Sequence, residues 1–537
     1  MLSEVAERIS PLGGWYAAVG VLVAVFVFLL SSSRDDGPPK LEERIPLSNT
    51  FEFITDTASF WKRALKTMQS LKTDIIRFRL NNRRVFLVVG ESKTNPLFRS
   101  GGALSPQYYV NLLTRVMWDP SDKDMARFEA DVTGRAREPA AGTEHITDRV
   151  WLEWHHVAAE HLARPAATAD LAAWFIDRFT ARTAELFPLA KTTDTLIWQF
   201  LHRHLTECAG RALMGDLIFE KNPDYMEIMA DWDKSITPVS FGPPRWLQPK
   251  PHRARDRWLE LNMRYYAEQV PKFNWDAMPD DGGWEPVFGS PLIRAIARHG
   301  LDMGYSLQTI AGMCGQQMSN QNSNSVPATG WCLIDTLTCP DPELLPNLRR
   351  EARAAITPGA DGTSVNLDLA KLLASPWHQA AYVETLRRHI IFTITRDAQR
   401  DTELDGFRIP KGSIVQAPMP LAHHNHAAWS VEGHPAEEFW PQRNLKDGKG
   451  GEKELSIAGR NGYWFPYGGG ITICPGRNFA KQEIIVALGL LLARFDIEVG
   501  GWIMPDGTPS DRPARHGDGF VVPRPDRDLK VRMTRRW

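Results

Sequence analysis

The chain has 537 residues, 63 Lys+Arg against 64 Asp+Glu, a net charge of −1, 43% hydrophobic residues and five cysteines. This is the profile of a globular protein with a substantial core, and it excludes a disordered tail protein and a bulk electrostatic drive towards nucleic acid or acidic lipid. The cysteines, at 208, 314, 332, 339 and 474, form no CxxC pair and are odd in number, which argues against a disulfide framework and a structural zinc module.

Residues 12–30 carry no charge and are mostly aliphatic or aromatic. As a helix they span about 28 Å, close to the roughly 30 Å hydrocarbon thickness, and are read as a single transmembrane helix within an anchor of residues 1–33. A cleaved signal peptide would have a shorter apolar core, and a buried core helix would rarely lack every charge. Glu4, Glu7 and Arg8 on one side and Arg34, Asp35, Asp36 and Lys40 on the other set no orientation. Residues 34–50, with Gly37-Pro38-Pro39, read as a linker, and 51–537 as the working module.

Residues 77–90 read as a hairpin around Asn81-Asn82, and residues 151–186 as helix. Residues 138–142 are a loop, and the five prolines of 238–251 predict a longer irregular stretch that could border a substrate entrance. Residues 291–337 form a long apolar-periodic segment in which Pro327 should kink the helix and free a carbonyl. Residues 341–374 read as a helix, a glycine-containing loop and a short helix, 406–415 as a turn entering a strand, and 446–452 as a surface loop. The fold class is mainly α with small β-sheets.

The most informative stretch is 464–494, WFPYGGGITICPGRNFAKQEIIVALGLLLAR, where a glycine-rich loop holds Cys474 just ahead of an apolar helix. Glycines permit backbone conformations and close approaches denied to larger residues, and a helix amino terminus favours a thiolate. The plain alternative is a buried free cysteine. The surroundings decide against it, because the loop resembles the haem-ligating loop of the cytochrome P450 superfamily, with Tyr467, Gly470, Gly476, Arg477 and Ala480 at matching positions. Two departures are Tyr467 where the family usually has Phe, and Thr472 where it has a basic residue. The resemblance implies one large haem fold, haem b as cofactor and Cys474 as axial metal ligand.

Glu384 and Arg387, three apart, share a helical face. Alone this spacing is common on solvated helices, but Phe439-Trp440-Pro441-Gln442-Arg443 follows before Cys474 and resembles the family's F-x-P-x-R segment. The resemblance implies a structural lock of Glu384, Arg387 and Arg443. It also offers Arg396 as a haem-propionate partner and His155, four after Trp151, as a replacement for the arginine of a W-x-x-x-R pair. The family's A-G-x-[DE]-T proton relay falls on Ser323-Asn324-Ser325-Val326-Pro327, which lacks both acid and threonine, so Asn324 and Ser325 are the candidate relay. The stretch N-[ST]-[IV]-P-A-T-x-W resembles the sterol 7α-hydroxylase and prostacyclin synthase branch, which holds both hydroxylases and oxygen-independent isomerases.

The leading expectation is a monooxygenase acting on an apolar terpenoid, sterol, alkaloid or polyketide of specialised metabolism. No GxGxxG-led nucleotide domain is evident, so electrons would come from a separate NADPH-cytochrome P450 reductase. The family location implies the endoplasmic reticulum with the catalytic domain facing the cytosol, lipid as a partner and no nucleic acid. The alternatives are an isomerase or dehydratase needing no reductase, and a non-enzymatic haem- or lipid-binding membrane protein.

Overall fold

The computed structural model describes residues 37–537 except 44, 46, 82, 100–102, 243 and 277–282. The apolar segment 12–30 lies outside the described residues, and among those described no helix is long and apolar enough to cross a membrane.

The hairpin forms as β1 (Ile75–Leu80) and β2 (Arg83–Val88), with Leu80 opposite Arg83 and Asn81 at φ 54°. Asn tolerates that left-handed turn conformation. The pair joins β3 (Leu104–Ser105), β4 (Thr393–Ala398) and β5 (Ile414–Pro418) in one sheet of order β1-β2-β5-β4-β3. Part of the segment read as a linker is built into this edge: Arg77 N donates to Pro39 O, Leu41 N donates to Arg77 O, and the first described helix begins at Ser48. A second sheet pairs Phe495–Ile503 with Asp528–Arg535, flanked by Pro509–Ser510 and Thr192–Leu196.

Residues 151–186 fold as two helices, α1 (Val150–Leu162) and Ala169–Leu186, separated around Pro165. The irregular stretch expected at 238–251 is shorter than its prolines suggest. Helix α2 (Tyr225–Phe241) continues past Pro238, held by its buried face of Tyr225, Ile228, Met229, Trp232 and Ile236. Helix α3 (Pro249–Gln269) begins on Pro249, and a proline in a first turn loses no helical hydrogen bond.

Residues 291–337 divide into Pro291–Asp302, α4 (Leu307–Asn322) and α5 (Ser325–Thr338). The interruption falls at Ser323 and Asn324, the latter with φ −124° and ψ −66°. Pro327 therefore sits in the first turn of α5 and does not kink a continuous helix. A first-turn N–H has no partner within its own helix, so the expected kink and freed carbonyl do not arise there. Residues 341–374 form Leu344–Ala355, a small hairpin of Ile356–Pro358 with Val365–Leu367, and Leu369–Ala374. Helices α6 (Pro376–His389) and α7 (Arg477–Arg494) pack with α5, and α7 is buried at every residue from Gln482 to Arg494. This helical core carries the site residues.

Candidate active site

Glu384 and Arg387 lie on one face of α6, because residues three apart in a helix are neighbours. Arg387 Nη2 meets Glu384 Oε1 at 2.7 Å and Nε meets Oε2 at 3.0 Å, while Arg443 Nε reaches Oε1 at 2.9 Å. The predicted trio is thus brought together, and all three side chains are fully buried. Burial pushes Glu384 up, but the Arg387 and Arg443 guanidiniums more than reverse it and hold the carboxyl below its usual range. The sequence reading missed the rest of the network. Trp440 N and Asn444 Nδ2 also donate to Glu384, and Arg460 Nη2 donates to Arg443 O at 2.9 Å.

The cysteine loop hangs from this scaffold. Cys474 N donates to Tyr467 O at 2.9 Å, and Tyr467 Oη meets Tyr382 Oη of α6 at 2.6 Å. Where the family usually has phenylalanine, this chain therefore ties the loop to α6 by a hydroxyl contact. Gly470 has φ 58°, and a Cβ there would stand 2.0 Å from Phe98 O, so only glycine fits. Gly476 is different: its φ of −73° suits any residue, and a Cβ would lie 3.8 Å from Cys474 Sγ, an ordinary contact over the thiol. The thiol is reachable by solvent but surrounded by protein. Burial pushes it up, and the N–H of Gly476, Arg135 and Arg477 oppose this without reversing it, so the helix terminus alone does not make it a thiolate.

Arg396 is buried on β4, where Nε donates to Leu97 O and Nη2 to Thr472 Oγ1, both at 2.9 Å. The guanidinium thus reaches the position where the family has a basic residue and this chain has threonine. His155 on α1 has an unpartnered buried Nδ1 and is pushed down to about 4 by burial and by Arg135 and His156. Arg135, which the sequence reading missed, acts on Cys474, His155 and Arg396 together. It stands in a turn that Asp131 organises by accepting from Thr133 N, Gly134 N and Trp151 N. No periodicity marks such a turn. Arg135 and Arg396 have no ion pair among the described residues, so the cluster offers buried positive charge to an anionic ligand.

The α4–α5 break carries the candidate relay residues. From Thr309 to Thr336 every residue is buried except Asn320 and Asn324, so this stretch meets accessible space only at those two. Asn324 Nδ2 donates to Asn320 O at 2.5 Å and leaves its Oδ1 unpartnered. Ser325, the other candidate relay residue, is buried and faces Glu483 of α7. Gln321 Nε2 donates to Glu483 Oε1 at 2.7 Å, and burial pushes this carboxyl up to about 8. Ser323 Oγ donates to Asp233 Oδ1 of α2 at 2.5 Å.

An accessible thiol on a glycine loop, cations unpaired among the described residues and able to take carboxylates, and a mainly helical fold fit a haem-thiolate enzyme. The cytochrome P450 profile matches residues 307–531. Cytochrome P450 monooxygenase calL of Penicillium decumbens is 34% identical over 530 residues, 97% of each chain. Cytochrome P450 monooxygenases fsoE of Humicola fuscoatra and efuG of Hormonema carpetanum are each 28% identical, over 355 and 353 residues, about 60% of this chain. The chain belongs to the cytochrome P450 family, whose cofactor is haem with a cysteine thiolate on the iron.

Proposed function

We propose that the chain is a monooxygenase that inserts one atom of O2 into a small molecule and releases the other as water, consuming two electrons and two protons. The observation that carries this is Cys474, an accessible thiol on a glycine loop clasped to the Glu384–Arg387–Arg443 lock, and the names of the relatives support it. Bound there, haem supplies oxygen activation, which a thiolate ligand favours. Cys474 would hold the iron, with the Gly476 and Arg477 N–H groups turned towards Sγ. Arg135 and Arg396 would neutralise the propionates, and His155 Nδ1 would add a hydrogen bond.

We read the substrate as a terpenoid, sterol, alkaloid or polyketide with an apolar body and at least one hydrogen-bonding group. Gln316 and Asn320, four apart on α4, with Asn324 in the break beyond them and Gln316 Oε1 unpartnered, support that group. Electrons would come from a separate NADPH-dependent reductase on the same membrane, which we take to be the endoplasmic reticulum with this domain facing the cytosol. The uncharged segment 12–30 and the exposed Phe51, Ile54, Phe241, Trp246 and Leu247 support membrane attachment.

A second reading, an isomerase or dehydratase needing neither reductase nor O2, is favoured by Val326-Pro327 where an acid and an alcohol would stand. The test is a carbon monoxide spectrum followed by oxygen uptake with candidate substrates, with and without reductase. Monooxygenation predicts a red-shifted Soret band, its loss in Cys474→Ser, and O2-dependent product only with reductase. Product without O2 selects the second reading, and a histidine-type spectrum rejects both.

A further inference from the structure

Monooxygenation consumes two protons per turnover, yet residues 326 and 327 are Val and Pro. Neither can hold or pass one. The same chemistry is present close by, assembled from two helices instead of one. Helix α2 meets the α4–α5 break at two polar points: Trp232 Nε1 donates to Ser319 Oγ at 3.0 Å, and Ser323 Oγ meets Asp233 Oδ1 at 2.5 Å. Ser319 and Ser323 are four apart and share one helix face, and Ser323 is next to Asn324, which meets accessible space. Trp232, wholly buried, fixes α2 against α4 and so sets the approach of the neighbouring carboxyl.

Asp233 has no ion pair within 4 Å among the described residues. The charges acting on it are Arg524, which is paired with Asp518 at 3.0 Å, and Lys234 on its own helix, and both also act on the half-buried His202. Burial pushes Asp233 up, and the Ser323 hydrogen bond, Arg524 and Lys234 do not reverse it. Such a carboxyl holds a proton more readily than an exposed aspartate does.

We propose that Asp233 and Ser323 form an acid–alcohol pair that brings protons to the accessible space at Asn324, replacing in space what positions 326 and 327 lack in sequence. The inference rests on the monooxygenase reading. With Asp233 protonated, its O–H donates to Ser323 Oγ, and the serine proton is turned towards the accessible space at Asn324. As that proton leaves to solvent at Asn324, Ser323 takes the proton of Asp233, and the carboxylate regains one from solvent. Two such passages, with two electrons from the reductase, supply the water that accompanies the oxygenated product. Ser323 passes the proton, and Asp233 acts through it as a positioning and proton-holding residue.

The test uses the full-length holoenzyme in membranes with reductase, normalised to the pigment that binds carbon monoxide. Product per electron should fall about tenfold in Asp233→Asn and Ser323→Ala, less than the ~100-fold of a lone positioned acid because Asn324 also meets solvent. The missing electrons should appear as hydrogen peroxide, and the solvent deuterium isotope effect should rise. Ser323→Thr, which keeps the hydroxyl, should restore coupling, and Asp231→Asn on the same helix should change nothing. An infrared spectrum of resting protein supplies a second readout: a protonated-carboxyl band lost in Asp233→Asn and shifted in Ser323→Ala. Wild-type coupling and isotope effect in both variants overturn the pair, as does a drop that Ser323→Thr fails to restore. Wild-type protein that makes product without O2 overturns the monooxygenase reading instead, and the infrared shift then still reports whether the two groups share a proton.

Discussion

Glu384 holds two buried guanidiniums at once, and the worth of this arrangement lies in its completeness. A buried ion pair gains little over an apolar replacement, but removing one partner leaves an uncompensated charge. Glu384→Gln should therefore cost about 3–5 kcal/mol, measured as a lower urea midpoint with haem content falling in parallel. Arg443→Lys should lose the contacts to the Pro435 and Glu438 carbonyls, because a lysine cannot reproduce the planar fork. Since the carboxyl lies below its usual range in the folded protein, its contribution is present above the ordinary glutamate pKa and is lost as pH falls through the folded value. Tyr467→Phe tests a smaller element of the same scaffold. It strands the buried Tyr382 hydroxyl and should cost about 1–3 kcal/mol while keeping the red-shifted carbon monoxide band.

Helix α5 begins after its break, so Pro327 fills a first-turn position whose N–H would be unpaired in any case. Pro327→Ala should thus change thermal stability by less than about 1 kcal/mol, where relief of a mid-helix kink would give about 3 kcal/mol or more. The contact between α7 and the end of α4 behaves differently, because Glu483 is pushed up to about 8. A raised folded value means stability is present at low pH and is lost as pH rises through about 8. Glu483→Gln keeps the shape and should flatten that decline, read as melting temperature between pH 6 and pH 9. These helices also show what the sequence could reveal. The Glu384–Arg387–Arg443 lock and Cys474 were legible through the resemblance of their short local segments to the family's motifs, and in the cysteine loop Gly470 is a glycine the backbone requires. Arg135, Asp233 and Glu483 were not, since each matters through a neighbour distant in sequence: Cys474, Ser323 and Gln321 respectively. The proline-rich 238–251 misled because proline is costly inside a helix and harmless in its first turn.

Across the whole molecule, the five-stranded sheet and the helical core meet at the cysteine loop, with β4 supplying Arg396 and α6 supplying Tyr382. The amino-terminal edge of that sheet is completed by residues preceding the first described helix. Arg77 Nε donates to Pro38 O at 2.8 Å, Arg77 N to Pro39 O at 2.9 Å, and Leu41 N to Arg77 O at 2.8 Å. Arg63 then fastens Glu42 O and Asn49 Oδ1. Membrane attachment and folding should therefore separate at a definite place in the chain. Removing residues 1–36 takes away the uncharged segment and leaves every one of these contacts. That protein should leave the membrane fraction and keep its haem spectrum and melting temperature. Removing residues 1–50 also deletes the contacts of Arg77 with Pro38, Pro39 and Leu41 and those of Arg63 with Glu42 and Asn49, while Arg63 keeps Glu52, and at about 1 kcal/mol for each hydrogen bond it should lose several kcal/mol. Melting and sedimentation of the two truncations decide the point: equal stability would mean the edge contributes nothing, and continued membrane association after removal of residues 1–36 would move the anchor to the exposed Phe241, Trp246 and Leu247.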